Sequence, residues 1–528
     1  MRDFQRPGRS PVRVTGGMAA TSHPLATQAA VAMLQAGGNA VDAAITAAAV
    51  QAVVEPQSTG IGGDCFVLYA PAGSSQVIAL NGSGRSAAAA DIAAYRAMGL
   101  DRVPTQGVHS VTLPGAVDAW ARLLADHGRK TMAEVLAPAI AYAEQGYVVH
   151  DRVASDWREE VDLLSADADT AAIFLPGGKA PQAGDVHRQP ALGRTLRTIA
   201  EHGREGFYAG PVAAAMGAKL RSLGGLHTTE DFANTRCDYV TPVSTPYRGY
   251  DVVQMPPNNQ GMTALVMLNI LAGDDLAALD PDSTARLHLE IEAARLAYHE
   301  RNTRLGDLSP HDPVIPALLS PAHAAKLRAC IHADRAMTDL PMPELAMSDT
   351  VYISVVDADR NAISFINSTY YAFGAAIACP ETGVIFQNRG ASFRLDPAHP
   401  NALAPGKRPL HTIMPGMLMR DGRAVMPFGV MGGDYQPVGH VHLLTNLLDH
   451  GMDVQAALDA PRLFWRNGAV EAERSIPAET VAGLTALGHR VIEAPEPLGG
   501  GQAIWIDHDR GTLTGGSDPR KDGMAAGY

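Results

Sequence analysis

The order of residues predicts a chain of mixed helices and strands, α/β or α+β, built as one large domain or two intimate ones. Three observations carry this. The 528 residues are 46% hydrophobic, enough to bury a sizeable core. Helical periodicities alternate with β-branched runs, and no internal repeat, low-complexity tract or linker separates independent units. Gly and Ala are abundant while aromatics make up 5%, a composition suited to close packing of helix on sheet. The net charge of −13, without any Lys/Arg run, argues against nucleic acid and anionic membranes as partners.

Taken in order, Val12–Ala20 reads as a first strand. Pro24–Gln35 is an Ala-rich helix stopped by Gly37-Gly38, and a second helix runs from Asn39 or Ala40 to about Val54. The run Gly60-Ile61-Gly62-Gly63-Asp64 precedes a strand, Phe66–Ala70, instead of opening a helix, so a dinucleotide fingerprint fails. Val77–Leu80 is the expected hairpin partner. Helices follow at Ala116–His127 and Met132–Gln145, the latter interrupted or kinked by Pro138. Thr228 and Asp231 have capping-box spacing, Arg248–Val253 is a strand, and Met262–Ala272 a helix. On the long helix Thr284–Arg304, His288, Glu290, Glu292 and His299 lack metal-ligand spacing and read as a solvated charged face. No metal or cofactor is expected.

Cys65, Cys237, Cys330 and Cys379 are far apart and read as reduced core residues. The first residues, MRDFQRPGRSPVRV, show no apolar stretch of signal-peptide type, and Ala43–Val54 is too short to span a membrane. A soluble cytoplasmic protein is the expectation.

The informative junction is Asp349-Thr350. Upstream, residues 334–348 have no stable period; downstream, Val351–Val356 is a strand rich in β-branched residues. A Thr where a loop enters a buried strand is placed to attack the carbonyl before it and become a new N-terminus. Its α-amine, with an ordinary pKa of about 7.7–8.0, is then the base that a weak hydroxyl nucleophile needs.

After TVYISVVD come FINSTYYAFG (365–374), GVIFQNRG (383–390), PGKRPLHTIMPG (405–416) and GVMGGDYQP (429–437). This ordered set, with the earlier glycine run and the closing SDPR and GY, resembles the γ-glutamyltransferase (γ-glutamyltranspeptidase) family of N-terminal-nucleophile hydrolases. The resemblance implies a four-layer α-β-β-α sandwich. It also implies a precursor cut between Asp349 and Thr350 into a large subunit, 1–349, and a small subunit, 350–528. Subunits of one precursor are therefore the expected partners, with the oligomeric state, a dimer of processed heterodimers included, left open. By the same resemblance Ser368 is the second hydroxyl beside the nucleophile, and Gly432-Gly433 supply oxyanion N–H groups.

The acyl-recognition positions depart from the family pattern. Tyr370, Arg389 and Ser392 stand where the family binds the α-ammonium of a γ-glutamyl group, and His411-Thr412 replaces its carboxylate-binding pair of serines. Arg85 is the candidate for the family's carboxylate-binding Arg, and Asp434 the fallback holder of an ammonium. The segment 393–407 is short, so an open site is expected. The leading reading is a γ-glutamyl-directed amide hydrolase or acyltransferase acting on compounds such as glutathione. A second changes the substrate to a glutaryl-type or oxamate-type amide lacking the α-amine, because Arg389 repels an ammonium. A third is an unprocessed homologue without catalysis.

Overall fold

A computed structural model describes residues 8–338, 340, 345–348 and 350–528. Two seven-stranded sheets form the middle of the molecule. One runs Met524–Gly527, Met18–Thr21, Val351–Val356, Ala362–Ser368, Asp64–Ala70, Ile78–Gly82, Asp238–Val240. The other runs Val12–Val14, Thr512–Ser517, Gly500–Asp507, Arg423–Met431, Gly416–Arg420, Tyr250–Gln254, Val243–Tyr247. Every pairing given for the first sheet is antiparallel.

The strand Val351–Val356 shows how the layers arise. Its side chains alternate with a period of two, so Ile353 and Val355 join the core beneath helices Pro24–Gln35 and Ala40–Val54. Tyr352 and Val356 face the other way, into a core between the sheets that includes Ile366, Met417 and Ile504. A third core lies where helices Gly261–Leu271, Thr284–Arg304 and Gln436–Leu448 cover the second sheet. Three apolar interfaces between four layers make this the α-β-β-α sandwich that the resemblance implied. At Gly429 the sheets approach so closely that a Cβ would sit 2.4 Å from the Tyr352 ring, hence glycine.

Most expected elements stand where the periodicities place them, including Pro24–Gln35, Ala116–His127 and Thr284–Arg304. Pro138 lies inside an unbroken helix, Met132–Gln145. The first strand is corrected. It divides into Val12–Val14 and Met18–Thr21, which belong to different sheets because Gly16 and Gly17 pack against Tyr528 with no room for a side chain. The polar side of Thr284–Arg304 is also corrected. Glu290 is buried, held by Arg286 at 2.8 Å and His442 at 3.0 Å, so partners on Gln436–Leu448 replace the expected solvent. Cys330 is exposed, not a core residue.

Candidate active site

Thr350 enters the site through strand register. Val351 pairs with Asn367, which sets Thr350 level with Ser368 at the end of the neighbouring strand. Their hydroxyl oxygens are 3.1 Å apart and both residues are buried. The Ser368 hydroxyl also accepts the Tyr370 N–H at 2.9 Å, which holds its rotamer beside Thr350.

The glycine pair comes from the opposite sheet. Strand Arg423–Met431 ends directly before Gly432, and both Gly432 (φ 116°) and Gly433 (φ 60°) are left-handed, a conformation that strains other residues. A Cβ at Gly433 would lie 2.5 Å from the Ser348 Oγ, so the pair is pressed against the segment that leads into Thr350. Gln260 holds the turn in place, donating to the Gly433 carbonyl at 3.0 Å and to the Thr412 carbonyl at 2.6 Å.

A cavity of about 1320 Å³ is lined by Tyr370, Ser392, Thr412, Asp434 and Arg301 among others. Beneath its Tyr370 wall is Arg389, fully buried. Its Nη1 donates to the Thr412 hydroxyl at 2.8 Å, and its guanidinium stacks 3.7 Å from the centre of the Tyr370 ring. Among the described residues, Nε and Nη2 have no hydrogen-bond partner. Burial depresses Arg389 to about 10, opposed by the neighbouring Tyr370 and Asp64. Tyr370 itself has φ 86°, a strained backbone for a bulky aromatic residue. The Ser392 hydroxyl is engaged, donating to the Leu410 carbonyl at 2.9 Å.

The sequence model described as gamma-glutamyltranspeptidase matches residues 26–528. The chain belongs to this family. A glutathione hydrolase-like YwrD proenzyme of Bacillus subtilis is 38% identical, over 97% of this chain and 98% of the relative. An oxamate amidohydrolase proenzyme of Klebsiella pneumoniae is 35% identical, over 97% and 99%. The crystal structure of cephalosporin acylase from Bacillus halodurans superposes with a TM-score of 0.93 at 40% identity, covering 100% of this chain and 99% of that one. As a γ-glutamyltranspeptidase-family member, the chain is an N-terminal-nucleophile amidohydrolase or acylase.

Two expected substrate contacts of this family member are corrected. Arg85 does not line the large cavity; its guanidinium pairs with Asp238 at 3.2 Å and donates to the Gly406 carbonyl at 3.1 Å. Gly84 N–H, held at 2.7 Å by Asp64, ties down the backbone just before it. His411 is fully buried and bonded to Asp64 at 2.9 Å, away from the cavity. Burial, with Arg389 adding to it, pushes His411 down to about 3, so its imidazole is neutral and Nε2–H donates to Asp64. Asp349 lies outside the described residues.

Asp434 reaches the site but not as a free carboxylate. Arg301 pairs with it at 2.5 Å. Neither Arg301 nor Gln260 was expected here. The signals for them were the i, i+3 spacing of Tyr298 and Arg301, and three successive amides, Asn258-Asn259-Gln260, in a stretch read only as loop. All three amide residues are fully buried. No helix among the described residues is long and apolar enough to cross a membrane.

Proposed function

We propose that the chain cleaves itself between Asp349 and Thr350 and then hydrolyses small acyl amides whose acyl group bears a carboxylate and no α-ammonium. In maturation the Thr350 hydroxyl attacks the Asp349 carbonyl carbon, and the C–N bond breaks as the hydroxyl proton passes to the departing nitrogen. That nitrogen becomes the α-amine, and water hydrolyses the resulting ester to a carboxylate and the free hydroxyl. In turnover the same amine removes the Thr350 proton, Ser368 steadies the hydroxyl, and the N–H groups of Gly432-Gly433 receive the oxyanion. The acyl-Thr350 ester is then split by water or an amine acceptor.

The observation that carries the substrate reading is the pair of unpartnered N–H groups on buried Arg389. A guanidinium fork offers a carboxylate two parallel hydrogen bonds, and the carboxylate supplies acceptors for the two nitrogens left without a partner among the described residues. Reaching it requires the strained Tyr370 ring to turn aside. An α-ammonium finds no corresponding anion, because Asp434 is already neutralised by Arg301. Glutathione and other γ-glutamyl donors are therefore poor substrates in this reading.

Parallel assays of glutaryl and γ-glutamyl p-nitroanilides test it, extended to oxamate and longer monoamides of dicarboxylic acids to set the acyl length. Preference for the glutaryl compound or a related anionic amide is expected. A wide preference for γ-glutamyl would sink the proposal.

A further inference from the structure

The described residues just ahead of the nucleophile, 345–348, are held by a small set of polar groups. Leu345 is buried in the core and its N–H donates to Asn467 at 3.2 Å. Ala346 is read twice by one residue. Its N–H donates to the Asp434 carboxylate at 2.7 Å, and its carbonyl accepts the Asp434 N–H at 2.9 Å. The second carboxylate oxygen of Asp434 takes Arg301 at 2.5 Å, and Arg301 Nη1 also donates to Gln260 at 2.5 Å. Gln260 in turn holds Gly433, and Tyr298 donates its hydroxyl proton to the Asp434 carbonyl. Past Ala346 the chain lies on Gly433, where a Cβ would meet Ser348 N at 2.8 Å.

We propose that Asp434 is a positioning residue for self-cleavage. By gripping both amide groups of Ala346 it lays 345–348 across the glycine turn and so sets how the chain approaches Thr350. Arg301 and Gln260 orient the grip. The carboxylate does no chemistry; it lowers the entropy of a segment that otherwise has no regular structure. This rests on the reading that the chain is cut at Thr350. The arrangement also accounts for an aspartate beside the glycine pair: two oxygens are needed, one for Arg301 and one for Ala346.

The test follows from that count. In Asp434→Asn a single oxygen can serve Arg301 or Ala346 but not both. Ala346→Pro removes the N–H and leaves the Asp434–Arg301 pair intact. Full-length chains made by cell-free synthesis and pulse-labelled would be followed on denaturing gels as two fragments appear. Each variant should convert roughly ten- to hundredfold more slowly than wild type, the loss expected for a hydrogen bond to a charged group. The double variant should be no slower than the slower single one, a non-additivity that general loosening of the fold would not give. In a Thr350→Ala background Ala346→Pro should melt near Thr350→Ala alone, whereas Asp434→Asn should melt lower because it leaves buried Arg301 without its full counter-charge. Conversion of Asp434→Asn at the wild-type rate, or slowdowns that multiply in full, would overturn the role of Asp434. A wild-type chain that never divides would instead overturn the cleavage reading beneath it.

Discussion

Replacing Arg389 by Gln should separate stability from catalysis. Burial depresses the guanidinium to about 10 despite the neighbouring Tyr370 and Asp64, a net penalty on its charged form of about 3 kcal/mol. Removing the charge recovers that penalty. Against it stands the stacking on Tyr370 at 3.7 Å, worth about 2 kcal/mol when desolvated. Glutamine keeps a donor for the Thr412 hydroxyl. The net change in stability is therefore small, within about 1 kcal/mol and toward stabilisation. Turnover should behave differently. Losing hydrogen bonds from a charged donor to the substrate carboxylate costs about 1.5–3 kcal/mol, or roughly ten- to 150-fold in kcat/KM for glutaryl p-nitroanilide. Free glutarate should raise the Tm of the wild-type enzyme, by linkage of about 2.7 kcal/mol at one hundred times its Kd, and leave Arg389→Gln unmoved. Loss of several kcal/mol of stability with kcat/KM intact would refute the reasoning and make Arg389 a strut for Tyr370.

Other outcomes follow from the same site. Arg389→Gln with Ser392→Asp should shift preference toward γ-glutamyl donors in the paired p-nitroanilide assay, since the pocket then carries an anion. Thr350→Ala should remain one chain on a denaturing gel, whereas Thr350→Ser should still divide and keep part of the activity. Activity of the mature enzyme should rise with pH through about 7–8 as the α-amine loses its proton, and EDTA should not change it. Stability should fall in acid. Burial holds His23, His411 and His440 at about 3, and His187 and His489 at about 4, well below the ordinary histidine value. The unfolded chain therefore binds more protons below about 6.5, and each group costs up to about 1.4 kcal/mol per pH unit from there down toward its folded value. Glu55, raised to about 7 by burial, acts in the opposite sense between about 4.5 and 7. Thermal melts from pH 7 to pH 4 would measure the balance, with a net fall expected.

Much of the frame was legible because local chemistry dictates it. Val351–Val356 is rich in β-branched residues and bounded by a polar turn, so strand and burial follow from composition, while the importance of Thr350 comes from the motifs around it. Thr228 and Asp231 form the capping box that their sequence spacing announces. What could not be read was pairing across the fold. Whether Glu290 meets water or Arg286 and His442 depends on a helix about 150 residues away. His411 and Arg389 lie near each other in sequence and in space, yet Asp64 claims only the histidine, leaving two guanidinium nitrogens unmatched. A motif can name both residues, but it carries no count of their partners. That count decides which one can receive a substrate.

The strand order bears on what a cut at Thr350 would do. Val351–Val356 lies between Met18–Thr21 on one side and Ala362–Ser368 on the other, and Ala362–Ser368 in turn pairs with Asp64–Ala70. Strands from before and after residue 350 are thus interleaved, and the second sheet mixes them again, with Thr512–Ser517 beside Val12–Val14 and Gly416–Arg420 beside Tyr250–Gln254. Pulling the fragments apart would unpair these ladders at five boundaries, the fifth being Met524–Gly527 against Met18–Thr21, and open all three apolar cores at once. An unpaired buried backbone group costs about 1–3 kcal/mol, so separation is coupled to global unfolding. The fragments should co-elute on size exclusion and part only in denaturant. Separation under native conditions would contradict the interleaved sheets.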